Sequence, residues 1–204
     1  MENGQQGWIV FIYIDNNLYD IACQGAAKIF FCYTTFMANY YLFRHGQTFF
    51  TKFHLPYFWN NFSVGILPEA VPVLERLAVY LKNIPSDLNV SSEFKRCTQS
   101  TEIITRITGN QFIIDSRLNE YYRETFGSLR ERIKDFINEV NRKNYRTVIV
   151  CTHGAVMSGL KHLLLEGGFK QTQLRDYPKP GTLICIKDQK INQIDFNKIG
   201  YYLK

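Results

Sequence analysis

Along this chain, short runs of apolar and β-branched residues alternate with segments whose apolar positions recur every three or four residues. Residues 39–43 form an unbroken, mostly apolar run of strand length that ends at Arg44, and residues 146–151 form a second that ends before Thr152 and His153. Between them, residues 67–82 carry Val71, Leu74, Leu77, Ala78 and Leu81 on one helical face, with Pro68 suited to the first turn. Residues 88–91 predict a short strand ending in Ser91-Ser92. Residues 95–108 predict a helix with Ile103, Ile104 and Ile107 inward and Gly109 as its stop. A strand at 112–114, a polar loop at 117–125 and an amphipathic helix at 129–142 come next. The helix after the second main strand covers 155–165 and ends at Gly167-Gly168. The chain then turns at 178–181 into a hairpin of 182–186 and 191–196. Strands alternating with helices predict an α/β fold: a three-layer sandwich with a mostly parallel central sheet, helices on both faces and an antiparallel C-terminal edge hairpin.

The first 36 residues stand apart from this rhythm. Residues 8–14 and 28–33 are apolar runs with Asn16-Asn17 as a turn after the first, which predicts an extra hairpin. The regular α/β pattern begins directly after Met37. We therefore expect two parts, 1–36 as an N-terminal extension of doubtful origin and 37–204 as the catalytic domain.

Composition narrows the function. The chain has 204 residues, 46% of them hydrophobic, enough for one sizeable core. Its formal net charge of +6 suits anionic ligands, and the absence of a dense basic tract argues against nucleic acid as the partner. The five cysteines (Cys23, Cys32, Cys97, Cys151 and Cys185) are scattered, without zinc-ligand spacing, and imply a reducing, cytoplasmic setting. No apolar run reaches the roughly 20 residues of a membrane span, so no membrane association is expected.

Candidate chemistry concentrates at the ends of the two main strands. Arg44-His45-Gly46-Gln47-Thr48 follows the first, and Thr152-His153-Gly154 follows the second. The chain has four histidines, and two of them stand at strand ends before glycine. In a parallel sheet the carboxyl edge is where ligands bind. Arg44-His45-Gly46-Gln47-Thr48 resembles the signature of the histidine phosphatase superfamily, the phosphoglycerate-mutase-like fold. Ser91-Ser92-Glu93-Phe94-Lys95-Arg96, Leu118-Asn119-Glu120 and Thr152-His153-Gly154 match in the family's order, and the resemblance runs from Met37 to about Phe196.

The resemblance implies a metal-independent phosphomonoesterase with no cofactor, acting on a phosphorylated small molecule. His45 is then the nucleophile that becomes phosphohistidine, its other ring nitrogen held by a nearby backbone carbonyl. Arg44 and Arg96 grip phosphoryl oxygens as planar forks. His153 donates to a phosphoryl oxygen, or else is a satisfied structural histidine. Glu120 is the candidate proton donor, with Glu124 its rival. Gln47, Thr48, Ser92 and the backbone at Gly154 are candidate phosphate contacts. Thr48 serves equally as a loop cap, and Ser92 as an order-giver for the strand-to-helix turn. His54 and His162 are unassigned, His162 with a surface reading.

Three places depart from the family's pattern. Thr51 stands where an Asn is usual, Glu93 replaces a Pro, and 121–127 replaces a Gly- and Trp-containing tail. These loops select substrates, so the substrate stays open. Two alternative functions remain: a phosphoglycerate mutase using the same intermediate, favoured by Arg117-Leu118-Asn119-Glu120, and a non-catalytic phosphate- or phosphoprotein-binding module.

Overall fold

A computed structural model of the protein describes residues 9–14, 17–22, 37–57 and 61–198. The chain divides into two compact units, Met1–Thr35 and Phe36–Lys204. In the first, β1 (Ile9–Ile14) and β2 (Asn17–Ala22) pair antiparallel as a hairpin. The second strand of this hairpin is 17–22, directly after the turn, and not the expected apolar run at 28–33, which lies outside the described residues.

In the second unit the elements run β3 (Asn39–Arg44), α1 (Phe49–Lys52), α2 (Val71–Leu81), β4 (Leu88–Ser91), α3 (Lys95–Thr108), β5 (Ile113–Ile114), α4 (Phe126–Arg142), β6 (Thr147–Thr152), α5 (Gly154–Glu166), β7 (Thr182–Lys187) and β8 (Lys190–Asp195). The sheet order is β5-β4-β6-β3-β7-β8. The first four strands are parallel; β7 runs antiparallel to β3, and β8 antiparallel to β7. This is the expected mostly parallel sheet with an antiparallel edge hairpin.

Alternation along the central strands divides the core in two. Tyr40 and Leu42 of β3, with Val148 and Val150 of β6, pack against Leu129, Ile133 and Phe136 of α4 and Val156, Met157 and Leu160 of α5. Tyr41, Phe43, Ile149 and Cys151 face the other way, against Leu74, Leu77 and Leu81 of α2 and Cys97 and Ile104 of α3. Both faces are dry, which is why β3 and β6 read as continuous apolar runs rather than alternating ones. Each fully buried aliphatic side chain stabilises the fold by about 1.5–3 kcal/mol.

Boundaries are set by local chemistry. Gly109 and Gly167 end α3 and α5 in the left-handed region, at φ 80° and 72°. The hairpin between β7 and β8 turns through Asp188 and Gln189, both at positive φ, the geometry of a two-residue primed turn. Three elements differ from the sequence expectation. The helix expected from 129 starts at Phe126, because the Thr125 side chain accepts from the Ser128 N–H at 3.1 Å. The segment from 49 contains the four-residue α1. The helix expected from 67 opens with a 3₁₀ turn, Pro68–Ala70.

Candidate active site

Register brings the distant motifs together. Arg44 of β3 sits opposite Thr152 of β6, and the His45 N–H donates to the Thr152 carbonyl at 3.1 Å. Ser91 of β4 sits opposite Cys151, and the Ser92 N–H donates to the Cys151 carbonyl at 3.1 Å. His45, Ser92 and His153 therefore leave three adjacent strands at one level of the carboxyl edge. The rings of His45 and His153 are 5.3 Å apart, centroid to centroid. Arg96 enters from the first turn of α3, fully buried, and donates from Nη1 to the Asn61 carbonyl at 2.5 Å.

Glu120 arrives by a longer route. Past β5 the Asp115 N–H donates to the Ser91 carbonyl, and a 3₁₀ turn, Ser116–Leu118, carries the chain back over the strand ends. Thr152 Oγ1 fixes that turn by donating to the Leu118 carbonyl at 2.6 Å. Arg132 of α4 clamps the adjoining backbone, donating to the carbonyls of Arg117 and Asn119. Glu120 Oε2 then lies 3.4 Å from Arg96 Nη2 and 3.6 Å from His153 Nδ1. The rival Glu124 is held elsewhere, paired with Arg132 at 2.6 Å.

Four buried nitrogens of this cluster make no hydrogen bond: Arg44 Nε, His45 Nε2, Arg96 Nε and His153 Nδ1. Buried polar atoms are rarely left so. Four at one place, two of them guanidinium N–H donors and two on imidazole rings, form a socket for a group rich in acceptor oxygens. The imidazoles stay neutral in it. Burial, then Arg96 and Arg44, hold His45 well below the usual 6.5, and burial, Arg96, His45 and Arg44 do the same for His153. Burial raises Glu120 above the usual carboxyl value, against the opposing pull of Arg96 and Arg44.

A carbonyl partner decides the His45 tautomer, and a hydroxyl governs that of His153. His45 Nδ1–H donates to the Gly46 carbonyl at 2.9 Å, which leaves a lone pair on Nε2. His153 Nε2 lies 2.8 Å from Ser92 Oγ. The Ser92 hydroxyl donates to Asn119 Oδ1 at 2.9 Å, with His153 Nε2–H then donating to Ser92 Oγ. Rotation of that hydroxyl toward His153 Nε2 is what leaves Nδ1–H to face a ligand. Asn119 is itself anchored, because its Nδ2 donates to Glu93. The Glu93 that stands in place of Pro thus ties the acid loop to the β4–α3 turn.

Other expected contacts are placed differently. Thr48 caps α1 in a reciprocal pair with Thr51, and its hydroxyl lies 2.6 Å from Tyr57 Oη. Its cap alternative therefore describes the geometry, and Thr51 is its capping partner. Gln47 stands at the turn, its carbonyl accepting from the Leu67 N–H. Gly154 begins α5, and a Cβ there would sit 2.6 Å from the Tyr177 ring, so the close approach requires glycine. Lys95 is exposed. His162 departs from its surface reading: it is buried, between Glu166 Oε1 at 2.7 Å and Asp176 Oδ2 at 2.8 Å.

From the sequence, the aromatic stretch 49–64, with Tyr57 in it, reads either as a wall at the mouth of the site or as packing over the core edge, while Phe94 and Tyr177 are not marked as supports. Tyr57 lies 4.5 Å from the Arg96 guanidinium, Phe94 4.9 Å from it, and Tyr177 5.0 Å from that of Arg44. Arg132 is not marked in the sequence either. Local spacing does not pair Tyr57 with Arg96 or Tyr177 with Arg44, which lie far apart along the chain. Among the described residues, no group of three or more His, Cys, Asp or Glu side chains is placed to hold a metal ion. No described helix is long and apolar enough to cross a membrane.

The two buried imidazoles make stability depend on acid. Their pKa values are lower folded than unfolded, so below about 6.5 the unfolded state binds more protons and stability falls with pH. The slope is at most about 1.4 kcal/mol per histidine per pH unit. Urea unfolding at pH 7.5 and 5.5 should show this loss, and His153→Gln should reduce it. Equal losses in the two proteins would contradict the account.

The sequence profile of the histidine phosphatase superfamily (branch 1) matches residues 40–123 and 121–190. No curated protein sequence matches the chain. Among solved structures, one from Escherichia coli K-12, assigned as an alpha-ribazole-5'-P phosphatase, superposes with a TM-score of 0.66 at 17% identity, over 78% of this chain and 96% of its own. The protein histidine phosphatase SixA complexed with tungstate gives 0.60 at 13%, over 78% and 97%. A phosphoglycerate mutase from Bacillus anthracis gives 0.58 at 16%, over 79% and 94%. At these identities the likeness is one of fold.

Proposed function

This chain belongs to the histidine phosphatase superfamily, and from that premise we propose that it is a phosphatase that hydrolyses phosphate monoesters through a phosphohistidine on His45, without a metal ion. The observation that carries the proposal is the convergence of four unpartnered buried nitrogens, from Arg44, His45, Arg96 and His153, on one rim of the sheet. A phosphoryl group spreads charge over three oxygens in the transition state and needs such donors already in place.

The geometry supports a definite order of steps. The His45 Nε2 lone pair attacks phosphorus in line with the ester oxygen; the N–P bond forms as the P–O bond breaks. The Nδ1–H bond to Gly46 holds the ring in the attacking tautomer and carries the charge that develops on it. Arg44, Arg96 and His153 Nδ1–H hold the equatorial oxygens, with the N–H groups at the start of α5 in support. Glu120, whose carboxyl burial shifts toward the protonated form, gives its proton to the departing oxygen. As a carboxylate it then takes a proton from water, which attacks phosphorus, breaks the N–P bond and releases inorganic phosphate. The second reading, a phosphoglycerate mutase, rests on the Arg117-Leu118-Asn119-Glu120 string. Interconversion of phosphoglycerates with a bisphosphate primer separates the two.

The activity is assigned to residues 37–204, with 1–36 an extension of doubtful origin. The substrate is a phosphorylated small molecule. The buried free thiols of Cys97, Cys151 and Cys185 favour a cytoplasmic setting.

Purified protein should hydrolyse 4-nitrophenyl phosphate with full activity in excess chelator. Tungstate, a tetrahedral oxyanion, should inhibit it competitively and raise Tm by roughly 5–10 °C at a hundred times its Kd. Loss of activity in chelator, restored by a divalent ion, would reject the metal-free mechanism.

A further inference from the structure

The proton donor and the arginine beside it come from different stretches of chain. Glu120 lies on the irregular segment after the 3₁₀ turn Ser116–Leu118, whereas Arg96 enters from the first turn of α3. Glu120 Oε2 nevertheless stands 3.4 Å from Arg96 Nη2. The gap between the two segments is bridged by their neighbours in sequence, Asn119 directly before Glu120 and Glu93 shortly before Arg96.

This bridge is two-sided. The Glu93 N–H donates to Asn119 Oδ1 at 3.2 Å, and Asn119 Nδ2 donates to the Glu93 carboxylate. An N–H can only donate and a carboxylate accepts, so one residue holds both ends of the amide and fixes which end is which. Ser92 Oγ donates to the same Oδ1 at 2.9 Å, and the Phe94 N–H donates to Ser92 Oγ at 3.3 Å. The β4–α3 turn is thereby joined to the residue beside the acid. Elsewhere the acid loop is held through its carbonyls: Thr152 Oγ1 donates to that of Leu118 at 2.6 Å and Arg132 Nη2 to that of Asn119 at 2.8 Å. Those bonds tie the loop to β6 and α4, and neither reaches the turn that carries Arg96. A proline at 93 has no N–H and no carboxylate and would supply neither contact.

We propose that Glu93 is a positioning residue for the proton donor: through Asn119 it sets where Glu120 stands relative to Arg96 and the phosphate socket. This rests on the phosphatase reading with Glu120 as acid and adds the residue that places the acid. Proton transfer is steep in distance, and a misplacement of about 1 Å costs on the order of 10²-fold. The carbonyl anchors of the loop remain when Glu93 is shortened, so a smaller loss is expected.

The test uses the leaving group. An alkoxide needs the donated proton to depart and 4-nitrophenolate does not. On the full chain, Glu93→Ala should lower kcat/KM for ethyl phosphate about 10-fold and leave that for 4-nitrophenyl phosphate within about 2-fold of wild type. The nitrophenyl ester thus also reports that each variant is folded with its socket intact. Glu93→Gln keeps an acceptor oxygen for Asn119 Nδ2 and should restore most of the ethyl phosphate activity. In a Glu120→Gln background, Glu93→Ala should cost nothing further with ethyl phosphate, because a residue acting through the acid has nothing left to place. Equal losses on the two esters, a further loss in the Glu120→Gln background, or an unchanged ethyl phosphate rate in Glu93→Ala would each overturn the inference and leave the phosphatase reading intact. Wild-type protein that hydrolyses neither ester overturns both.

Discussion

His45→Ala should reduce phosphomonoester hydrolysis at least about 10⁴-fold, to the level of the remaining electrostatic catalysis. The expectation comes from the position of Nε2. It is buried, unpartnered, uncharged by its surroundings and fixed in tautomer by the Gly46 carbonyl, so no neighbouring group is placed to replace it. In experiments with labelled substrate quenched in alkaline detergent, wild-type protein should carry phosphate that is stable in base and labile in acid, and the variant should carry none. The variant keeps Arg44, Arg96 and His153, so it should still gain thermal stability from tungstate. That retained response distinguishes a missing nucleophile from a misfolded site. Full activity in a folded His45→Ala protein would end the assignment.

The range of the forces involved decides how much local pattern reveals. The apolar runs ending at Arg44 and Thr152 were legible because both faces of a central parallel strand are buried, and nothing polar interrupts them. Gly109 and Gly167 were legible as helix stops because left-handed backbone favours glycine. The convergence of His45 and His153 was legible only through the rule that parallel strands present their carboxyl ends together. Its depth was not: Arg96, a charged residue near a helix start, looks solvent-facing in one dimension and is fully buried in three. The same holds for His162. Glu120 and Glu124 are near-equivalent in the string; Arg132, on a helix a few turns later, takes Glu124 and clamps the carbonyl before Glu120. Glu93 read only as a departure from the family's pattern, yet it anchors Asn119. Arg96 and Glu93 depend on partners far along the chain, which no periodicity reports.

The second large effect is expected at Glu120, and it should depend on the substrate. Glu120→Gln keeps the shape of the side chain and removes the proton it donates. For an alkyl phosphate, whose alkoxide leaves poorly, the loss should be about 10²–10⁴-fold in kcat/KM. For 4-nitrophenyl phosphate, whose phenolate leaves unaided, formation of the phosphoenzyme should be nearly unchanged. The acid must be protonated to act, and its pKa lies above the usual carboxyl value. With alkyl phosphates the wild-type rate should therefore fall as pH rises through that raised value, and this basic limb should vanish in the variant. Arg96, 3.4 Å from Oε2, works against protonation; binding of a phosphate dianion offsets that charge, so the limb should lie at higher pH in kcat than in kcat/KM. Equal losses for the alkyl and the nitrophenyl ester would show that Glu120 positions the substrate without donating a proton. The assignment would then pass to Glu124, to be tested by Glu124→Gln on the same two esters.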